Sequence, residues 1–274
     1  MRYGFIGCGN MAGAIIEGSL RSGALFAADL SIYDKNRELA LKRAPEWNAK
    51  GCTGCGELVN VSDIIFIGVK PADLPMVAKE MPDLSEEAYL KKTFVSMLAM
   101  TELRRVEEAV GCGNGNAKPS VIRIMPNLNV RRLQGVTAVC GNRYATRGNI
   151  DAILALFGAL GYAAEIGESE FPVFTAIAGA GPAFSYLFIE SLAMAACKYG
   201  MKKKNATEIA AKTVMGSAFS LCAEMEEAGT HPWELIDRVC SPGGVTIEGI
   251  LELERLGFPS AVAQALGAAV NKSL

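Results

Sequence analysis

Apolar positions along this chain keep two rhythms. Up to about Glu168, short apolar runs of strand length alternate with stretches of helical spacing; beyond it only helical spacing remains. The first rhythm predicts strands ending at Gly7 and spanning 30–34, 49–53 (weak), 63–69, 93–97 and 120–125, with outer strands at 135–140 and 163–166. Helices are expected through Ala14, Ile15, Ile16 and Leu20, over 37–43, from Thr101, and over 150–160. Strands alternating with helices define an α/β fold with a doubly wound, mostly parallel sheet.

The second rhythm predicts helices over 182–199, 205–227, 243–256 and 259–274, apolar on most faces. A helix that is apolar all round is a buried one. So small a bundle buries its own surface only in part, and the excess is expected to meet a second chain; a compact monomeric bundle is the alternative. The expected division is a dinucleotide-binding domain over 1–167 and a helical domain over 168–274.

Composition narrows the class. Of 274 residues 50% are hydrophobic and 20% charged, which is globular and not disordered. A net charge of −2 argues against a nucleic-acid surface, and Lys202, Lys203 and Lys204 read as a solvated loop or helix start. No apolar run is read as reaching the ~20 residues of a membrane span. The chain enters a strand directly, leaving no signal peptide, so a cytoplasmic location is expected. Eight cysteines are scattered, and only Cys52 and Cys55 have a suggestive spacing. With His231 the sole histidine, no metal site is expected, and reduced cytosolic thiols are the plainer reading.

The opening strand runs into Gly7-Cys-Gly9-Asn-Met-Ala12. Gly7 permits a sharp turn, Gly9 leaves room for a pyrophosphate, and Ala12 lets the next helix pack close to the strand. The helix N-terminus near Asn10 and Met11 offers N–H groups and a partial positive charge to phosphates. Asp34 ends the second strand, where a residue meets the adenosine ribose; it also suits a cap for the next helix. Lys35, Asn36 and Arg37 follow at once and could hold a 2′-phosphate, so NAD and NADP both stay open. Lys70 and Pro71 follow the strand at 63–69, Lys70 as a cofactor contact and Pro71 as a helix start.

A second glycine segment, Ser241-Pro-Gly-Gly-Val-Thr246, opens a helix near Thr246 or Ile247. Its main-chain donors form an anion pocket, and Thr246 adds a hydroxyl; an ordinary turn capped by Thr246 is the alternative. Ala178-Gly-Ala-Gly-Pro-Ala183 reads as another glycine turn, with helix packing its plainer use. His231 reads as structural. With no nucleophile elbow and no metal cluster, the chemistry must need little acid–base machinery. Hydride transfer from a reduced nicotinamide to a protonated imine fits, because positioning and exclusion of water can supply the catalysis.

The residues resemble the pyrroline-5-carboxylate reductase family over essentially the whole chain. The most specific stretch runs from His231 through Ser241-Pro-Gly-Gly-Val-Thr246 to Gly249, and the segments 5–12, 69–71, 123–127 and 178–183 fall in order. The resemblance implies an N-terminal Rossmann-type sheet followed by an all-helical dimerisation domain. It implies dimers, sometimes assembled into decamers, and no nucleic-acid or membrane partner is expected. The implied reaction reduces 1-pyrroline-5-carboxylate to L-proline with NADPH or NADH, with Val69, Lys70, Pro71 and Ala99 beside the cofactor. Gly243, Gly244, Val245 and Thr246 would hold the substrate, Thr246 hydrogen-bonding the imine nitrogen, and Glu168 is placed at a substrate-contacting acid. The chain departs from the family at Leu128, Asn129, Ala178, Ala180, Met100, Pro172 and Cys55. Two other readings remain: a related imine or β-hydroxyacid reductase, the β-hydroxyacid enzymes being opposed by the absence of lysine between Gly167 and Cys197, and a non-catalytic dinucleotide sensor.

Overall fold

In the computed structural model, which describes residues 1–82, 84–111 and 118–273, strands and helices alternate from the first residue; Cys112 lies outside the described residues. The strands are β1 Tyr3–Ile6, β2 Leu30–Tyr33, β3 Lys50–Gly51, β4 Ile64–Ile67, β5 Thr93–Ser96, β6 Ser120–Met125, β7 Gly135–Gly141 and β8 Gly161–Glu165. The helices among them are α1 Asn10–Ser22, α2 Arg37–Trp47, α3 Cys55–Val61, α4 Leu74–Lys79, α5 Glu86–Leu90, α6 Leu103–Gly111 and α7 Arg147–Gly158. They form one sheet in the order β3-β2-β1-β4-β5-β6-β7-β8. The pairs from β3 to β6 are parallel, β7 is antiparallel to β6, and β8 is parallel to β7. The strand order reverses at β1 and β4, the topological switch point where ligands bind such sheets.

Period-two alternation explains the layers. Phe5, Ile32, Phe66, Val95, Ile122 and Ile124 point to one face, onto α1 and α7. Ile6, Tyr33, Ile65, Ile67, Phe94 and Val121 point to the other, with Leu58, Val77 and Val106 from α3, α4 and α6. Strands covered on both faces read as continuous apolar runs. The neighbouring Phe5 and Phe66 rings stack at 4.4 Å between centroids, adding to the area they bury.

The chain divides into two compact units, residues 1–179 with 273–274, and residues 180–272. The helical run opens with α8 Phe171–Phe174 and a π-helical turn Thr175–Ala180. It continues as α9 Gly181–Lys198, α10 Lys203–Ala228, α11 Pro232–Val239, α12 Val245–Arg255 and α13 Phe258–Ser273. The glycine turn expected at 178–183 is thus absent: the backbone stays helical and widens by one residue instead. Asn127 Nδ2 donates to Ala178 O at 2.9 Å, tying that widened turn to the end of β6. His231 caps α11, its Nδ1 accepting from Trp233 N–H.

The second unit leaves its apolar surface outside. Tyr186, Leu187, Met194, Met215 and Phe219 are all exposed, Phe219 to 75%. One helical stretch, Glu168–Lys198, is long and apolar enough to cross a membrane by length and composition, which corrects the reading that no such run exists. The glycines at 179 and 181 disguise it by dividing the run. Such a surface needs a cover other than water.

Candidate active site

The glycine turn stands at the switch point. Gly7 has φ +101°, and its N–H donates to Tyr33 O at 2.7 Å. A Cβ there would lie 2.6 Å from Gly68 O, so the turn both needs a left-handed residue and has no room for a side chain. Gly9 precedes α1 in extended conformation and caps it with no side chain. A Cβ at Gly9 would find nothing within 4 Å, so the space above it is open. The first N–H groups of α1, at Asn10, Met11 and Ala12, have no intrahelical acceptor. Ala12 is buried in the α1 contact with the sheet. These features suit a pyrophosphate.

At the end of β2 the carboxylate of Asp34 is engaged on both oxygens. Oδ2 accepts from Cys8 N–H at 2.7 Å and Oδ1 from Asn36 N–H at 2.8 Å. The cap of α2 is Asn36, accepting from Leu39 N–H, so the capping alternative for Asp34 is set aside. Lys35 is held by both oxygens of Asp73, at 2.7 and 2.8 Å. Arg37 is exposed, makes no ion pair among the described residues, and lines a cleft of about 370 Å³ with Asp34, Cys52 and Thr53. A second cleft, of about 190 Å³, brings Gly7, Gly9, Asp34, Lys35, Val69 and Lys70 together. Pro71 opens the 3-10 turn Pro71–Asp73. Burial pushes the thiols of Cys52 and Cys55 up, and that of Cys8 to about 12, which keeps them protonated and unreactive.

Beyond β5, Ala99 and Met100 line a different cleft with Arg123 and Glu168. Glu168, for which the resemblance implies a substrate contact, has Oε1 turned to Leu103 N–H and to Arg123. Sequence reasoning gave Arg123 and Asp73 no role; one is a buried arginine inside a strand, the other pairs across 38 residues. Met100 holds φ +52°, where a side chain costs about 1 kcal/mol or more. Met100→Gly is expected to raise sheet-domain stability by about 0.5–1 kcal/mol, read as a higher denaturation midpoint. An unchanged or lower midpoint would show that the methionine packs well enough to offset the backbone.

In the helical unit, Gly244 caps α12 and Val245 begins it, one or two residues earlier than expected. Thr246 is therefore inside the first turn, and the reading of Thr246 as a helix cap fails. Gly243 has φ +67°; a Cβ at Gly244 would meet Ser241 Oγ at 2.6 Å. No side chain caps the helix, so its first N–H groups are available to an anion.

A glycine turn at the switch point of a doubly wound sheet, followed by a helical segment with exposed apolar faces, defines the Rossmann class of dinucleotide-binding folds. Residues 168–274 match the family model described as pyrroline-5-carboxylate reductase dimerisation, and residues 2–100 that described as coenzyme F420-dependent NADP oxidoreductase. The chain is 32% identical to pyrroline-5-carboxylate reductase of Escherichia coli K12, over 99% of this chain and 97% of the relative. Among solved structures it resembles the 1-pyrroline-5-carboxylate reductase of Streptococcus pyogenes, with TM-score 0.83 and 33% identity over 100% of this chain and 98% of that one. It also resembles the Plasmodium falciparum pyrroline carboxylate reductase with NADP bound, with TM-score 0.81 and 27% identity over 100% and 97%. The chain belongs to the pyrroline-5-carboxylate reductase family.

Proposed function

We propose that this protein reduces 1-pyrroline-5-carboxylate to L-proline, the last step of proline biosynthesis, with NADPH or NADH as hydride donor. The observation that carries this reading is the full-length similarity to the E. coli enzyme of that name. The relative from P. falciparum holds NADP, which favours NADPH here.

A reduced nicotinamide, when bound, supplies the hydride. Gly7, Gly9 and the N-terminal residues of α1, Asn10, Met11 and Ala12, receive the pyrophosphate. Asp34 and Lys35 flank the ribose, and Val69, Lys70, Pro71 and Ala99 line the path along the strand ends. Backbone N–H groups at Gly243 and Val245 take the substrate carboxylate, while Gly244 N–H donates to Ser241 O at 3.0 Å and so shapes the turn instead of offering a free donor. The Thr246 hydroxyl meets the imine nitrogen and steadies it as the neighbouring carbon is reduced. No strong acid or base is required, since a protonated imine carbon is already electrophilic. The test is oxidation of NADPH and of NADH, followed by loss of the reduced nicotinamide's absorbance, on addition of pyrroline-5-carboxylate. No oxidation with either at saturating substrate would refute the reading.

Residues 1–167 serve as the cofactor domain and 168–274 as the substrate-binding and dimerisation domain. The exposed faces of α9 and α10 meet a second copy of the chain, which also accounts for the apolar run at Glu168–Lys198 without a membrane. A cytoplasmic homodimer is the resulting assembly, and a decamer of such dimers is the larger state the reading admits. Phe219→Glu is expected to give monomers by light scattering at micromolar concentration; a dimer unchanged in that variant would move the interface off this face of α10.

A further inference from the structure

The loop between β5 and α6 carries Ala99 and Met100, yet its own residues hold it poorly. Thr101, the natural cap for α6, donates its hydroxyl to Ala99 O at 3.1 Å instead. Met100 is left-handed. The helix starts only at Leu103, and its N–H is satisfied from 65 residues away: Glu168 Oε1 accepts it at 2.6 Å. A carboxylate at a helix N-terminus is favourable both as an acceptor and against the helix dipole. The same oxygen accepts from Arg123 Nη1 at 2.9 Å. Arg123 is 9% exposed, springs from β6, and lies over the Phe171 ring at 4.4 Å. One carboxylate oxygen therefore joins three segments: the loop after β5, the strand β6 and the turn after β8. The arginine fixes that oxygen in place, because Arg123 is buried and without Glu168 its charge would lack this partner; the glutamate side chain itself is 33% exposed.

The position of this junction gives it a use. Asp34 ends β2 on the adenosine side of the glycine turn. The other half of a dinucleotide then runs across the carboxyl ends of β4 and β5, where the 97–102 loop stands. We propose that Glu168 is a positioning residue: by holding Leu103 N–H, and being held by Arg123, it sets the loop of Ala99 and Met100 against the nicotinamide half of the cofactor. Its contact is then to the enzyme's own loop and not to substrate. The inference rests on the proposed dinucleotide site.

The test is calorimetric binding to the full-length protein. The ligands are the reduced dinucleotide that wild type binds more tightly, NADPH or NADH, and the matching fragment without nicotinamide, 2′-phospho-ADP-ribose or ADP-ribose. In Glu168→Ala the whole dinucleotide is expected to bind about tenfold more weakly, the scale of a lost charge-assisted hydrogen bond, and the fragment unchanged. Glu168→Gln, which keeps an acceptor oxygen, is expected to restore most of the loss. Unchanged dinucleotide affinity in Glu168→Ala would overturn the proposal. So would equal weakening of both ligands, which marks general damage to the sheet domain. Wild-type protein binding neither ligand would instead remove the dinucleotide site itself, and the proposal with it.

Discussion

Gly7→Val is expected to abolish dinucleotide binding. Gly7 stands at φ +101°, a conformation that strongly disfavours a β-branched residue, at about 1–2 kcal/mol from backbone sterics alone. The larger effect is the clash. The new Cβ would lie 2.6 Å from Gly68 O and 2.8 Å from Gly68 C, and neither is the end of a flexible side chain. Gly68 N–H is bonded to Ile6 O at 2.8 Å, so relief must separate the ends of β1 and β4. That movement carries Val69 and Lys70 out of the cleft and turns the first N–H groups of α1. The dissociation constant for NADPH is expected to rise by roughly a hundredfold or more, the scale of about 3 kcal/mol, with a lower denaturation midpoint. Calorimetric titration and thermal unfolding check both. Wild-type affinity in this variant would show that the glycine turn does not seat the cofactor.

Thr246→Val is expected to separate chemistry from binding. The Thr246 hydroxyl makes no hydrogen bond among the described residues, so the isosteric valine removes nothing the fold depends on. Valine also keeps the branching that fits the first turn of α12. If the hydroxyl oxygen accepts from the protonated imine nitrogen during reduction, kcat should fall by roughly a hundredfold, the scale of one lost preorganised hydrogen bond. Cofactor affinity should not change, because the residues assigned to the cofactor all belong to the sheet unit. Stopped-flow and steady-state rates, with a parallel NADPH titration, give the two numbers. Unchanged kcat would take Thr246 out of the mechanism.

How much of this was legible in the sequence varies by element. The strands were, because a sheet covered on both faces needs apolar runs: β4 is one without a break, and β6 is broken only by Arg123 after its opening Ser120. The short helices α3, α4 and α5 were missed: at five to seven residues they complete too few turns to show a period. Helix α2 outruns its expected end, passing Pro45 to Trp47, whose burial extends it. The late start of α6 could not be read locally, since its cap is Glu168, far along the chain. At 178–183 two glycines suggested a turn, but the bond from Asn127 favours a widened helix. The glycine fingerprint at Gly7 was legible because its spacing is mechanical. The direction in which Asp34 faces, and the pairing of Lys35 with Asp73, depend on contacts that no local pattern carries. The apolar helices signalled that something must cover them, and the match to the dimerisation model supports an oligomer.

The central claim is that hydride passes from a reduced nicotinamide to the imine carbon of pyrroline-5-carboxylate. Purified protein should be incubated with that substrate and NADPH deuterated at the transferring face of C4, and the product read by mass spectrometry and proton NMR. L-proline carrying one deuterium, at C5, is the expected product. Proline without deuterium, deuterium elsewhere in the ring, or no proline at all would contradict that claim.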